Sequence, residues 1–325
     1  MLCLGIEGTA HTIGVGIVDE SCNILANEYK MYSPAEGGIH PREAANHHAV
    51  HLPEMLQSAM DAAKITAKEL DLIAFSQGPG LGPCLRTAAT GARTLALMLN
   101  LPIIGVNHCI AHLEIGAKTG STDPILLYVS GGNTQVIAFA HKRFRVFGET
   151  LDIGLGNMLD KFGRHEGMRF PSGKAIEDSA SKSKKYVPLP YSVKGMDVAF
   201  SGILTASIQE RENNKSLEDI CFSIQETCFA MLTEVTERAM AHTEKQEVLL
   251  GGGVARNKRL QEMVRTMAEA RDAGFFIPPP DLCIDNGAMI AWTGLIMHKA
   301  GIKMSVMDTE VRQRFRTDEV DVIWR

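Results

Sequence analysis

Two histidines lie four residues apart in the apolar stretch VNHCIAHLEI, at positions 108 and 112. On a helix this spacing brings both imidazole rings to one face, within reach of a single metal ion. Zinc peptidases of the HExxH type place their general base, a glutamate, directly after the first histidine, but here that residue is Cys109. The pair therefore indicates either a metal site without peptidase chemistry or two ordinary helix histidines bonded to backbone.

A metal site in a protein needs at least one further ligand. Asp285 lies in the polar turn CIDNGAM before an apolar helix, and Tyr128 lies on the predicted strand that enters the turn SGGNT. Both residues also have structural interpretations, because an aspartate can cap a helix and a tyrosine can pack as a core aromatic. Spacing alone leaves both possibilities open.

Three glycine-bearing turns follow predicted strands, and they could bind phosphate. They are residues 5–9 (GIEGT), 130–134 (SGGNT) and 251–257 (GGGVARN). Small residues let the backbone approach a phosphate closely, so that N–H groups and Ser or Thr hydroxyls can bond its oxygens. One such turn is weak evidence, but three in repeat-related positions favour a nucleotide site.

The elements that must position these residues occur twice along the chain. Three short strands, a helix from Pro41 with an expected kink at Pro53, and further strands and helices fill residues 1–123, and a similar order restarts at residue 125. This duplication predicts two α/β lobes around a central nucleotide cleft. We expect one lobe to comprise residues 1–123 plus 299–325, with TDEVDVIWR as a short strand, and the other to comprise residues 124–298.

The composition narrows the function classes. Of the 325 residues, 45% are apolar and 22% are charged, and no apolar run is long enough to span a membrane. Seven scattered cysteines without a CxxC pair favour a reducing cytoplasm. The net charge of −5 means that nucleic-acid binding would need a basic partner or local clusters. Such clusters occur at residues 141–145, 182–185 and 256–259.

A second group of histidines lies near the start of the first helix. It consists of His40, His47, His48 and His51. Because alanines separate these residues and no acids or cysteines join them, we interpret them as a surface or partner-facing helix rather than as a second metal site.

Together these motifs resemble one known family. The universal tRNA threonylcarbamoyladenosine transferase family includes bacterial TsaD and the catalytic subunit of the KEOPS complex, and its archaeal branch fits best. The shared motifs occur in the same order and include GIEGTAHT, FSQGPGLGPCLR, GVNHCIAHLE, YVSGGNTQV, GGGVARN and DNGAMIAW. The resemblance runs from residue 1 to about residue 317.

The resemblance implies a fold and a reaction. The fold is the ASKHA fold of actin, the Hsp70 ATPase and sugar kinases, which agrees with the duplication. The enzyme would be a metal-dependent acyltransferase acting on tRNA. It would move the threonylcarbamoyl group from threonylcarbamoyl-adenylate to the exocyclic amine of the adenosine beside the anticodon in ANN-decoding tRNAs, and release AMP.

The resemblance also implies the site. His108, His112 and Asp285 would act through one divalent or trivalent metal ion, with Tyr128 as a weaker ligand. Iron is favoured, and zinc or manganese would also suit this donor set. The contacts to substrate and adenine nucleotide would come from Tyr128, Val129, Ser130, Gly131, Gly132, Asp160, Gly173, Glu177 and Asn257.

Partners are implied as well: tRNA, a small Rio-type kinase that some relatives carry in the same polypeptide, a small dimerising subunit and a kinase regulator. Two other functions compete with the transferase. An ATP-using phosphotransferase would usually have an aspartate for magnesium in the first turn, where this chain has Glu7. A nucleotide-binding scaffold without chemistry would leave the predicted metal ligands unexplained.

Overall fold

The computed structural model describes residues 1–34 and 38–325. They form two compact units. The first unit contains Met1–Lys118, Lys142–Phe144 and Ile284–Arg325, and the second contains Thr119–His141 and Arg145–Cys283. Each unit has its own five-stranded sheet and its own hydrophobic core. The prediction of a two-lobed α/β protein is therefore confirmed.

The sheet of the first unit has the order β3-β2-β1-β4-β5. Its strands are β1 (Leu2–Glu7), β2 (Thr12–Asp19), β3 (Ile24–Met31), β4 (Leu72–Gly78) and β5 (Ile103–Asn107). The first three form an antiparallel meander, and β4 and β5 continue the sheet parallel to β1. Side chains alternate along a strand, so Leu4 and Ile6 on β1 join the hydrophobic core of this unit. Gly5 faces the other side of the sheet, where a β-carbon would lie 2.3 Å from the backbone nitrogen of Ala291.

The helices of the first unit are α1 (Pro41–Ala63), α2 (Gly82–Leu99), α3 (His108–Glu114) and α10 (Gly287–Lys299). Helix α1 begins with Pro41. The backbone N–H groups of the first helical turn have no partner within the helix, so a proline, which lacks this group, is favoured at that position. The helix runs on through Pro53 to Ala63. Helix α2 begins at Gly82, directly before Pro83.

Helix α10 packs against β1 and β2 in the first unit, whereas the predicted lobe boundary placed residues up to 298 in the second lobe. A β-carbon at Gly287 would lie 2.1 Å from the backbone nitrogen of Gly16, and one at Gly16 would lie 2.1 Å from that of Ala288. The helix and the strand therefore touch through their backbones. This pairing of distant glycines leaves no local pattern in the sequence, which is why the expected boundary differs by one helix.

The second unit repeats the strand order of the first, as β8-β7-β6-β11-β12. The strands are β6 (Ile125–Val129), β7 (Thr134–Ala140), β8 (Arg143–Glu149), β11 (Glu247–Gly251) and β12 (Gly274–Phe276), and a separate two-stranded ribbon contains β9 (Val193–Lys194) and β10 (Asp197–Val198). Strand β6 is antiparallel to β7 and parallel to β11, as β1 is to β2 and β4. The internal duplication inferred from the sequence is thus visible in the topology.

The helices of the second unit include the long helix α7, which packs against α5 and α8. They are α4 (Leu155–His165), α5 (Gly173–Ala180), α6 (Ser201–Glu212), α7 (Leu217–Thr243), α8 (Lys258–Ala270) and α9 (Pro280–Cys283). Buried side chains of α7, among them Phe229 and Leu232, join the core together with β6 residues such as Leu127. The core of this unit therefore lies between its sheet and α7.

The prediction of a C-terminal strand in TDEVDVIWR is wrong. The tail contains a 3₁₀ turn at Thr317–Glu319, and none of its described residues forms a strand. Within the tail, the side chains of Trp324 and Arg325 donate to the Glu114 carboxylate in place of a strand ladder. In the segment before it, the carbonyl of Glu310 accepts from the Gln77 amide and that of Phe315 from the Asn107 amide.

Two expectations from composition can be compared with the fold. Among residues 1–34 and 38–325, no helix combines the length and the apolar character needed to cross a bilayer. All seven cysteines are buried, and none of them is bridged to another.

Candidate metal centre and nucleotide-binding turns

His108 and His112 lie on the short helix α3, which follows strand β5 directly. Asn107 caps this helix, because its side-chain oxygen accepts from the backbone nitrogens of Cys109 at 3.0 Å and Ile110 at 3.2 Å. Both histidines are buried, and their ring centroids are 4.8 Å apart. The predicted helical pair is therefore formed.

Asp285 lies beside this pair, at the entrance to α10. Its Oδ1 atom is 3.3 Å from Nε2 of His108 and 3.3 Å from Nε2 of His112. The neighbouring residue, Asn286, caps α10 by accepting from the backbone nitrogen of Met289 at 2.9 Å. The cap thus falls to Asn286 and leaves the Asp285 carboxylate directed at the histidines.

The charges at this site suit a cation. Burial lowers the pKa of His112, and a hydrogen bond to Asp285 offsets this only in part. Burial alone would raise the pKa of Asp285, but the charge of His108 and hydrogen bonds from both histidines hold that pKa well below its usual range. A neutral imidazole and an ionised carboxylate are the forms in which these side chains bind metal ions.

The three residues fit a metal ion by donor type and by distance. Their ligand atoms all lie within 4.8 Å of one another. Burial raises the pKa of the neighbouring Cys109 thiol to about 11, so that this thiol is protonated at neutral pH and is a poor ligand. Tyr128 is buried at the end of β6 in the second unit. Its role as a fourth ligand stays a prediction.

Glu7 is a member of the site that the sequence did not reveal. It ends strand β1, is fully buried, and its Oε2 atom lies 3.0 Å from Nδ1 of His108. The only sequence signal was the presence of an acid in the GIEGT turn, which carried no indication that it meets residue 108.

The C-terminal tail anchors the far end of α3. Glu114 is buried, and its carboxylate accepts from the indole nitrogen of Trp324 at 2.8 Å and from both Nε and Nη2 of Arg325 at 2.9 Å. Shortly before the tail, the carbonyl of Phe315 accepts from the Asn107 amide at the start of α3. The helix that carries both histidines is therefore held at its two ends by residues more than 190 positions away in the chain.

Because of this arrangement, we expect Arg325→Ala to destabilise the first unit by about 2 kcal/mol, since it leaves a buried carboxylate with less compensation. The Arg325 side chain retains 18% exposure, which keeps the loss below that of a fully buried pair. Urea unfolding measures the change. Lys299→Ala, which breaks an exposed pair with Glu20, is the control and should change stability by less than about 1 kcal/mol. An equal loss of unfolding free energy in both variants would show that the pair of Arg325 and Glu114 stabilises the protein no more than an exposed ion pair.

The SGGNT turn of the second unit joins β6 to β7 and packs on the start of α4. Ser130 and Gly131 accept at their carbonyl oxygens from the backbone nitrogens of Gly156 at 3.1 Å and Asn157 at 2.9 Å. The Thr134 hydroxyl accepts from the Leu155 nitrogen at 2.9 Å. The turn is thereby fixed in place by the first turn of α4.

The GGGVARN turn approaches the same strand end from β11. Gly252 has a φ of +90°, and a β-carbon there would lie 2.3 Å from the carbonyl oxygen of Val129. Only glycine allows both this conformation and this approach. By contrast, a β-carbon at Gly132, Gly173 or Gly253 would meet no atom within 4 Å. The space next to these three glycines is therefore open.

The remaining predicted substrate residues link the same elements. Asp160 on α4 accepts from the Ser172 nitrogen at 2.7 Å, directly before α5. Glu177 on α5 accepts from the Lys258 nitrogen at 2.8 Å, at the start of α8. Asn257 caps α8 and donates to Gln225 at 2.5 Å. The contacts connect the SGGNT turn, α4, α5, α8 and the GGGVARN turn in a closed ring. All nine predicted contact residues belong to these elements or to the end of β6.

In the histidine cluster of α1, one residue does not fit the predicted surface helix. His48 is fully buried, and burial lowers its pKa to about 4, whereas a surface helix was expected to expose it. Helix α1 turns this residue toward the core, between Ala44 and Leu52, which are also buried. His47 and His51 are half-buried, with ring centroids 4.5 Å apart. The described residues contain one group of three potential metal ligands, and these histidines are outside it.

The basic clusters are partly neutralised. Arg259 forms ion pairs with Glu226 at 2.6 Å and Glu262 at 2.9 Å, and Lys185 lies 3.8 Å from Asp219. An RNA track through these clusters stays a prediction.

Comparison with known proteins adds a family to this geometry. The family model described as TsaD, tRNA N6-adenosine threonylcarbamoyltransferase, matches residues 22–292. A protein of Thermococcus sibiricus named tRNA N6-adenosine threonylcarbamoyltransferase is 58% identical over 325 residues, which cover all of both chains.

A second relative is longer. The probable bifunctional tRNA threonylcarbamoyladenosine biosynthesis protein of Methanothermobacter thermautotrophicus is 59% identical over the whole of this chain, which spans 61% of that protein's length. Among solved structures, HypF of T. kodakarensis superimposes with a TM-score of 0.61 and 16% identity, over 95% of this chain and 49% of HypF. At that identity the likeness concerns the fold alone, and it agrees with the predicted ASKHA architecture.

Proposed function

Because the chain belongs to the tRNA N6-adenosine threonylcarbamoyltransferase family, we propose that it transfers a threonylcarbamoyl group from threonylcarbamoyl-adenylate to tRNA. The acceptor is the exocyclic amine of the adenosine beside the anticodon in ANN-decoding tRNAs, and AMP is released. The observation that carries this proposal is the set of His108, His112 and Asp285, whose ligand atoms lie within 4.8 Å of one another.

The second unit would bind the adenylate. Gly132 and Gly253 offer open space over the SGGNT and GGGVARN turns, so a phosphate could approach their backbone closely. Tyr128, Val129, Ser130 and Gly131 lead into the first of these turns. Asp160, Glu177 and Asn257 already position backbone groups of neighbouring elements, and Gly173 opens α5 beside them. We assign to this ring of residues the ribose, phosphate and threonyl moieties.

The reaction itself is an acyl transfer. The adenosine nitrogen attacks the carbamoyl carbon, the bond from that carbon to the phosphate oxygen breaks, AMP leaves with the bonding electrons, and the nitrogen loses one proton. An exocyclic amine is a weak nucleophile, so the carbonyl must be activated. A metal ion held by His108, His112 and Asp285, with Tyr128 as a further candidate ligand, would polarise this carbonyl and orient the phosphate. Iron is our first choice, with zinc or manganese as alternatives.

Two other activities fit less well. Peptidase chemistry of the HExxH type lacks its base, because Cys109 follows the first histidine and its thiol has a pKa of about 11. A phosphotransferase needs an acid at the first turn to hold magnesium, but the Glu7 carboxylate lies against His108 and Thr9. A scaffold without chemistry would have no use for three converging ligands.

Partners belong to the proposal too. The bifunctional relatives extend well beyond the region that this chain matches. We propose that a Rio-type kinase works with this chain, fused or separate, together with a small dimerising subunit and a kinase regulator. With a net charge of −5, the chain would depend on basic partners to hold tRNA. Because tRNA is the proposed substrate, we place the reaction in the cytoplasm.

Transfer of labelled threonylcarbamoyl from synthetic adenylate to unmodified tRNA, with these partners added, tests the function. We expect label on an ANN-decoding transcript and none on a transcript with guanosine beside the anticodon. Equal labelling of both transcripts, or of neither, would contradict the proposal.

The nucleotide site has its own test in Gly132→Val. The residue is exposed and its surroundings are open, so stability should change by less than about 0.5 kcal/mol. Affinity for a labelled adenine nucleotide should fall at least about tenfold, because a branched side chain would block the approach to the turn. Gly202→Val is the control, at another exposed and open glycine of the same unit. Wild-type affinity in Gly132→Val would remove this turn from the site.

A further inference from the structure

The Glu7 carboxylate is held from two sides. Its Oε1 atom accepts from the Thr9 nitrogen at 2.8 Å and from the Thr9 hydroxyl, and its Oε2 atom lies 3.0 Å from Nδ1 of His108. The side chain is fully buried at the end of β1. A buried carboxylate is costly unless its oxygens are hydrogen-bonded, and these contacts supply the bonds.

These contacts select one form of His108. An ionised carboxylate can only accept hydrogen bonds, so Nδ1 of His108 carries the proton in this pair. The other nitrogen, Nε2, faces Asp285, and once it gives up its proton on metal binding its lone pair is available to the ion. That Nε2 atom lies 3.3 Å from Oδ1 of Asp285 and belongs to the group of converging ligand atoms. The lone pair is therefore directed at the place where a metal ion would be bound.

We infer that Glu7 is a positioning residue for the metal centre. It fixes the tautomer and ring orientation of His108, and it makes Nε2 a stronger electron-pair donor to the metal ion. A carboxylate behind a histidine ligand commonly has this effect. The inference rests on the proposed metal site and adds to it a residue from the turn that the sequence associated with phosphate. The same turn is secured separately, because the Gly8 nitrogen donates to the Ser76 hydroxyl at 3.0 Å.

The Ser76 contact provides a matched control. Ser76→Ala loosens the same turn without touching the Glu7 carboxylate, whereas Glu7→Gln removes the charge and keeps the size. Metal affinity would be measured for the full chain by competition with a chelator, using Co²⁺, whose visible absorption reports ligand geometry. The ¹⁵N shifts of His108 in the protein loaded with diamagnetic Zn²⁺ would report which ring nitrogen carries the proton, and so the tautomer.

We expect Glu7→Gln to lower Co²⁺ affinity about 10- to 100-fold and to change the absorption spectrum. We also expect it to shift the His108 tautomer, while Ser76→Ala keeps wild-type values in all three measurements. If Glu7→Gln binds Co²⁺ as tightly as wild type while His108→Ala does not, the inference is wrong and the metal site stands. If neither variant changes Co²⁺ binding, the metal site itself is wrong. If Ser76→Ala matches Glu7→Gln, the turn acts through its shape and the carboxylate has no special role.

Discussion

Replacing both His108 and His112 by alanine should abolish stoichiometric metal binding and lower threonylcarbamoyl transfer by at least about 100-fold. Loss of a single outer-sphere partner costs roughly 10- to 100-fold in metal affinity or activity, and this variant removes two of three ligands. Metal content and transfer would be measured on the same preparation, with the partner proteins present.

The chain offers a matched control for this variant in His47 and His51. These residues are also four apart on a helix, with ring centroids 4.5 Å apart, but they are outside the group of potential ligands. The double alanine variant of this pair should keep its bound metal. Loss of metal from both variants would point to a general effect of removing histidines, and full transfer by the variant without His108 and His112 would return that pair to a structural role.

The second large effect is expected from Gly287→Ala, which should destabilise the protein by about 3 kcal/mol or more. Overpacking a core commonly costs roughly 1–3 kcal/mol, and here the new β-carbon would lie 2.1 Å from a backbone nitrogen that cannot rotate away. Because Asp285 lies two residues before Gly287, the displaced helix should also weaken metal binding. Urea unfolding and chelator competition measure the two effects.

Gly202→Ala is the control for this substitution. It lies in the first turn of α6, where a β-carbon meets nothing within 4 Å. Alanine favours the helix, so stability should rise by about 0.5–1 kcal/mol. A similar small change at Gly287 would show that α10 can move away from β2 without cost.

Local patterns in the sequence were enough to predict most of the fold. Strands such as β6 and β11 are short apolar runs followed by glycine turns. Helix α3 carries both His108 and His112, whose spacing of four residues suits a helix. Duplication was readable because each repeat starts with the same meander. These features depend on residues close together in the chain, where periodicity and turn residues act.

What the sequence did not reveal depends on distant contacts. Glu7 meets His108 across 101 positions, and Glu114 meets Arg325 across 211. The apolar alternation of TDEVDVIWR suggested a strand, but the side chains of Trp324 and Arg325 instead donate hydrogen bonds to the Glu114 carboxylate. Asp285 was named as a candidate ligand, but its place beside the histidines depends on the packing of α10 against β1, β2 and α3.

Removal of the metal from the wild-type protein tests the proposed mechanism most directly. The protein would be stripped with a chelator, and iron, zinc or manganese would be titrated back while transfer to tRNA and bound metal are measured together. We expect negligible transfer by the stripped protein and a rise in proportion to metal bound, up to one ion per chain. Full transfer by protein that contains no metal would contradict the assignment of His108, His112 and Asp285 to catalysis.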